Sequence, residues 1–139
     1  MRKLPLAFFT AAALCALGGM VWGAVMGSSE DFTLMPAHAH LNLVGWATLA
    51  LMGSFYALAG KGGRLGWINF VASAAAVVVM IPSLAAYLAG NKAAHAGVIA
   101  GSVLAILGML AFLGSVLSCW ATAAQAEAAA PAQGARKAA

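Results

Sequence analysis

The chain has 139 residues, of which 64% are hydrophobic and 7% are charged. A water-soluble domain this small cannot bury so much apolar surface, because small domains keep a large surface-to-volume ratio; the composition calls for lipid as solvent. The net charge of +4 is spread along the chain with no basic run and no interleaved aromatic residues, which argues against a nucleic-acid partner.

The first apolar stretch covers 4–27 and follows Arg2 and Lys3. It starts like a signal peptide, but its apolar run is too long for an h-region and 22–26 offers a poor cleavage site, so it reads as a retained first helix. Gly19, Gly23 and Gly27 recur at a four-residue spacing, a smooth face for a neighbouring backbone. A loop at 28–34 carries Glu30 and Asp31. The second stretch covers 35–58, with Pro36 in its first turn, where a missing N–H costs nothing, and Thr33 or Met35 as the cap. A glycine-rich connection, 60–64, leads to the third stretch, 65–89. Pro82 lies inside that stretch and is expected to kink its outer half. A connection at 90–94 leads to the fourth, 95–121.

Each stretch is long enough to cross a hydrocarbon core of about 30 Å at about 1.5 Å per residue, and none alternates with the period of two expected of a barrel strand. Short connections make sequential neighbours antiparallel. The fold predicted is an all-α, up-down bundle of four transmembrane helices occupying 1–124. The Ala-rich segment 125–139 has no apolar periodicity and reads as a disordered cytoplasmic tail. Arg2, Lys3, Lys61, Arg64, Arg136 and Lys137 share one side, against Lys92, Glu30 and Asp31 on the other. The positive-inside rule then places both termini in the cytoplasm, in a plasma membrane of bacterial type. Trp67 and Trp120 fall at the inner interface and Trp22 near the outer one.

The cysteines, Cys15 and Cys119, lie at different depths, which disfavours an intrachain disulfide, and the absence of Cys-x-x-Cys-His excludes covalent c-type haem attachment. Both read as packed small residues. Glycines 45 and 53 in the second stretch, and 97, 101, 108 and 114 in the fourth, read first as helix packing. Gly97 and Gly101 carry a second reading, as room for a flat cofactor below His95. Asn42, Thr48, Asn69 and Ser83 read as interhelical hydrogen-bonding groups and Tyr87 as an interface anchor. No Ser/His/acid set, phosphate loop or pair of intramembrane carboxylates is evident, so no catalytic residue is assigned.

The chemistry concentrates in Met35-Pro36-Ala37-His38-Ala39-His40-Leu41-Asn42-Leu43-Val44-Gly45-Trp46. His38 and His40 open the second helix at the outer face, and His95 opens the fourth helix on that same face. Ionisable side chains at membrane depth are uncommon and usually functional, and imidazole suits haem iron, copper and zinc. Residues two apart on a helix point about 200° apart. His38 and His40 therefore face different neighbours unless the first turn is unwound. For His95, beside Lys92, a solvent-wetted interfacial histidine is the simpler reading.

This segment resembles the second-helix motif of the haem-copper oxidase superfamily, which includes cytochrome c oxidases and nitric oxide reductases. The chain most closely resembles small four-helix proteins that are themselves similar to part of oxidase subunit I. It implies a haem b cofactor with an axial histidine, His40 or alternatively His38, with Asn42, Gly45 and Trp46 lining the site. The family subunit has twelve helices in three four-helix arcs, whereas this chain has four and lacks the copper-binding histidine cluster and the cross-linked tyrosine. Three copies could rebuild such a ring, so the resemblance implies a homotrimer with haem between protomers and an unidentified redox partner. Two other classes compete: a copper or zinc protein using His38, His40 and His95, and a structural or assembly subunit binding nothing.

Overall fold

The computed structural model describes the backbone of residues 3–60 and 62–136 and the side chains of 3–60 and 62–129. Among these residues four helices are long and apolar enough to cross a membrane. Helix α1 is Lys3–Ser29 and α2 is Met35–Ala59. Helix α3 is Gly63–Leu88. Helix α4 is His95–Arg136, led in by a 3₁₀ turn at Lys92–Ala94. The protein is all-α, as its hydropathy requires.

Three of the expected spans agree with the helices to within about two residues, the ordinary uncertainty of helix ends. The fourth does not. Helix α4 runs on to Arg136, through the segment expected to be disordered. Alanine is the strongest helix former, so an Ala-rich segment extends a helix that lipid has already nucleated. Hydropathy marks where the apolar span stops, not where the helix stops. Lys137 and the residues after it lie outside the described residues, as do Arg2 and Lys61.

The connections follow local rules. Helix α1 ends on Glu30, whose φ of 55° is the left-handed turn that commonly closes a helix, here without glycine. Asp31 Oδ1 then accepts the backbone N–H of Thr33 at 3.0 Å. Leu34 stands at the N-cap of α2 with no side-chain cap and Pro36 in the first turn; neither Thr33 nor Met35 serves. Gly60, at φ 71°, closes α2 in the left-handed region that glycine enters at no steric cost. Helix α3 continues unbroken through Pro82.

Glycine notches set the register between packed helices. Along α1 and α2, the places a Cβ would take at Gly19, Gly23, Gly45 and Gly53 are met by Asn42, His38, Cys15 and Phe8 respectively. Along α3 and α4, which form the most extensive pairing, Gly97, Gly101 and Gly108 meet Ser83, Met80 and Ser73. The space beside Gly97 and Gly101 is thus occupied by α3, and the cofactor-room reading of these two glycines fails. Backbone approach this close yields dispersion contact over the whole seam, which is what drives association where lipid removes the hydrophobic term.

Among the described residues two clusters fill the interior. Leu4, Phe8, Ala12, Leu49, Met52 and Tyr56 form the first, in which Phe8 stacks on Tyr56 with ring centroids 5.4 Å apart. The second, Val77, Met80 and Ile81, is flanked by Cys15, Trp22, Leu41 and Val44. A buried polar relay joins α2, α3 and α4. Ser73 Oγ donates to Asn69 Oδ1 at 3.0 Å, Asn69 Nδ2 donates to the Tyr56 hydroxyl at 3.0 Å, and that hydroxyl donates to Ser115 Oγ at 3.0 Å. Ser115 Oγ ends the chain on the carbonyl of Ala111 at 3.1 Å. Each hydroxyl donates once, so one direction satisfies the whole row.

Candidate functional site: the histidine end of helix α2

Helix α2 has three parts. Met35–His40 is α-helical, Leu41–Thr48 is a π-helix, and Leu49–Ala59 is α-helical again. The Thr48 hydroxyl donates to the carbonyl of Leu43, five residues back, at 2.8 Å, matching the wider turn. Such turns are rare and recur at functional sites. Hydropathy carries no trace of this one, because it reports solvent preference and not hydrogen-bond pattern. The segment it spans, Leu41–Thr48, begins directly after the paired histidines.

The two histidines diverge, as a two-residue spacing on a helix requires. His38 is half-buried and faces α1. Its Cε1 lies 3.1 Å from where a Cβ on Gly23 would stand, and Trp22 meets its ring edge-on at 6.3 Å between centroids. Asn42 Nδ2 donates to the backbone carbonyl of His38 at 2.9 Å. The same nitrogen is 3.5 and 3.4 Å from the two imidazole nitrogens. An amide almost equidistant from both lies over the ring, too far and too tilted to fix either nitrogen.

His40 is exposed and better prepared as a ligand. Its Nδ1 is 2.7 Å from the carbonyl of Pro36. A carbonyl only accepts, so Nδ1 carries the proton; in the neutral ring Nε2 then presents its lone pair. A second nitrogen tied to a backbone carbonyl is the usual support of a histidine that ligates a metal. Pro36 thus has two roles, opening the helix and holding the imidazole four residues later.

The other expected site residues divide. Asn42 and Gly45 face α1: Asn42 fills the Gly19 notch, and the Cys15 side chain closes on Gly45. Both are packing groups within this chain. Trp46 and Leu43 are exposed, at 49% and 65%, and give α2 an outward apolar surface beside the site. His95 is exposed and lies against Tyr87, with centroids 5.2 Å apart and planes 31° apart. Lys92 Nζ sits 4.8 Å from the centroid of the same Tyr87 ring. Tyr87 thus packs against two basic side chains at this end of the molecule.

Among the described residues no group of three or more His, Cys, Asp and Glu side chains is arranged to hold a metal ion. His38, His40 and His95 share an end of the molecule without forming one cluster. In the adjoining loop, hydrogen bonds from the Thr33 side chain and backbone hold the Asp31 carboxyl below its ordinary value.

Sequence reading missed Tyr56, the centre of the polar relay. The usable signal was depth: Tyr56 and Asn69 lie within about two helical turns on either side of one short connection, so they share a level in the membrane.

Comparison with known proteins finds no matching family model, no matching curated protein and no matching solved structure.

Proposed function

We propose that this chain is a haem b-binding integral membrane protein, related to the haem-copper oxidase core, with His40 as axial ligand. The observation that carries the reading is the His40 imidazole itself, with Nδ1 tied to the Pro36 carbonyl at 2.7 Å and the ring exposed. The donor fits: a neutral imidazole with a fixed tautomer suits ferrous or ferric haem. When bound, haem supplies one-electron transfer or binding of a diatomic gas.

The chain's own residues do the positioning. Pro36 fixes the imidazole, and Leu43 and Trp46 offer apolar surface to a porphyrin-sized face. His38 and Asn42 seat this end of α2 in the glycine notches of α1. Because His40 faces away from its own bundle, the second wall of the pocket belongs to another surface. A further copy of the chain, in a closed cyclic trimer, supplies identical walls at every site. In this reading the bundle runs up-down with both termini cytoplasmic, in a plasma membrane of bacterial type, and an external partner exchanges electrons at the histidine end.

The test is an optical spectrum and a pyridine haemochrome assay on protein purified from haem-replete cells, with copper and zinc measured on the same sample. A Soret band that His40→Ala abolishes, in a particle of trimeric mass, supports the reading. A colourless preparation, or a Soret band unchanged in His40→Ala, overturns it. Stoichiometric copper or zinc without haem would assign the free imidazole nitrogen to that metal instead.

A further inference from the structure

At the end of the molecule opposite the histidines, the first turns of α1 and α3 and the last turn of α2 line an open cleft of about 900 Å³. Its base is apolar, with Leu4, Pro5 and Tyr56 buried beneath it. Lys3 and Arg64 also line it, and both are exposed. Trp67, Ile68 and the glycines at 60, 62 and 63 complete its lining. These two residues also line a second hollow of about 440 Å³, which continues along α3 past Val71, Ala72 and Ala75 to Leu104 of α4. The two hollows share Trp67 and Ile68 as lining; taken together as one groove, they present a cationic mouth and an apolar length with small residues at 72 and 75.

We infer that this groove is a binding site for an anionic phospholipid, the phosphate held between Lys3 and Arg64 and an acyl chain lying in the trough from Trp67 to Ala75. Three properties of the groove select that occupant. Helix α3 is long and apolar enough to cross a membrane, and Ile68 and Val71 on it are 57% and 62% exposed, so lipid is the solvent they would meet. Two cations on an apolar cleft complement a phosphate joined to hydrocarbon, and basic pockets between transmembrane helices hold such headgroups. Trp67 stands where cleft meets trough, the interfacial level at which an amphipathic indole is most stable. A soluble phosphate would use the mouth and leave the trough without purpose. The inference is independent of the histidine end and of what binds there.

Native mass spectrometry of the full chain, released from mild detergent, tests it with phosphatidylglycerol and phosphatidylcholine of identical chains. Each basic residue near an anionic surface contributes roughly fivefold, so the pair predicts roughly 30-fold preference for phosphatidylglycerol. The double variant K3Q/R64Q should lose that preference, and K3R/R64K should keep it; the circular dichroism melt of each shows that it folds. Ala75→Trp, which fills the trough and leaves both charges, should weaken binding of both lipids. Equal retention of the two lipids by the unaltered chain overturns the proposal, as does a preference that survives K3Q/R64Q. Displacement of phosphatidylglycerol by millimolar glycerol phosphate, or lipid binding indifferent to Ala75→Trp, would reduce the site to a general anion site and also overturn it.

Discussion

Replacing Tyr56 by Phe removes one hydroxyl from the interior and leaves the rest of the side chain in place. Tyr56 is 1% exposed; its ring stacks on Phe8 and meets Phe55 and Phe112 edge-on at 5.4 and 6.1 Å, contacts that phenylalanine keeps. Ser115 Oγ still donates to the Ala111 carbonyl, so its loss is one accepted bond and is cheap. Asn69 is 0% exposed, and its Nδ2 loses the acceptor it had at 3.0 Å. In a water-soluble protein an orphaned buried donor costs about 1–3 kcal/mol. In a membrane the unfolded reference is also partly without water, and interhelical hydrogen bonds average about 0.6 kcal/mol with a maximum near 1.7. The expected destabilisation is therefore about 1 kcal/mol, measured by denaturant unfolding in mixed micelles. In a double-mutant cycle with Ser115→Ala, the two effects should fall short of additive by about 0.5 kcal/mol or more. Strict additivity, or a neutral Tyr56→Phe, would show that the relay couples nothing.

Two further outcomes follow from packing and charge. Gly101→Ala should destabilise by about 1–3 kcal/mol, because the added methyl meets the backbone of Met80, which cannot rotate aside. Gly27→Ala meets nothing within 4 Å among the described residues and should instead stabilise α1 by up to about 1 kcal/mol; equal effects in thermal melts would refute the notch reading. For Asp31, the folded carboxyl titrates below its ordinary value because Thr33 bonds its charged form. The unfolded chain therefore takes up the proton first as pH falls. The contribution is complete above the unfolded value and is lost as pH falls through the folded one. An NMR titration of Asp31 at an ordinary carboxylate value, or one unmoved by Thr33→Val, would contradict this.

The division between what was legible and what was not follows from the range of the forces involved. Composition and hydropathy determined the membrane, the four spans and the short connections, because transfer into lipid is a local property summed over about twenty residues. The two-residue spacing of His38 and His40 also determined that they face different ways, since helix geometry is local. Their environments were local only in part. The hold of the Pro36 carbonyl on the His40 imidazole is made within one turn of α2, whereas that His38 rests on Gly23 depends on which helix lies beside α2 and at what register. The same holds for Gly97 and Gly101, whose open appearance in the sequence is closed by Ser83 and Met80 from α3. The π-turn after the histidines and the helical course of 125–136 were equally invisible, because a hydropathy profile reports solvent preference and not hydrogen-bond pattern. The oxidase relationship is a proposal read from a dozen residues of one helix, and no family model, curated protein or solved structure matches the chain. The structure itself shows geometry alone: of three histidines sharing one end, only His40 combines an exposed ring with a nitrogen held by a backbone carbonyl.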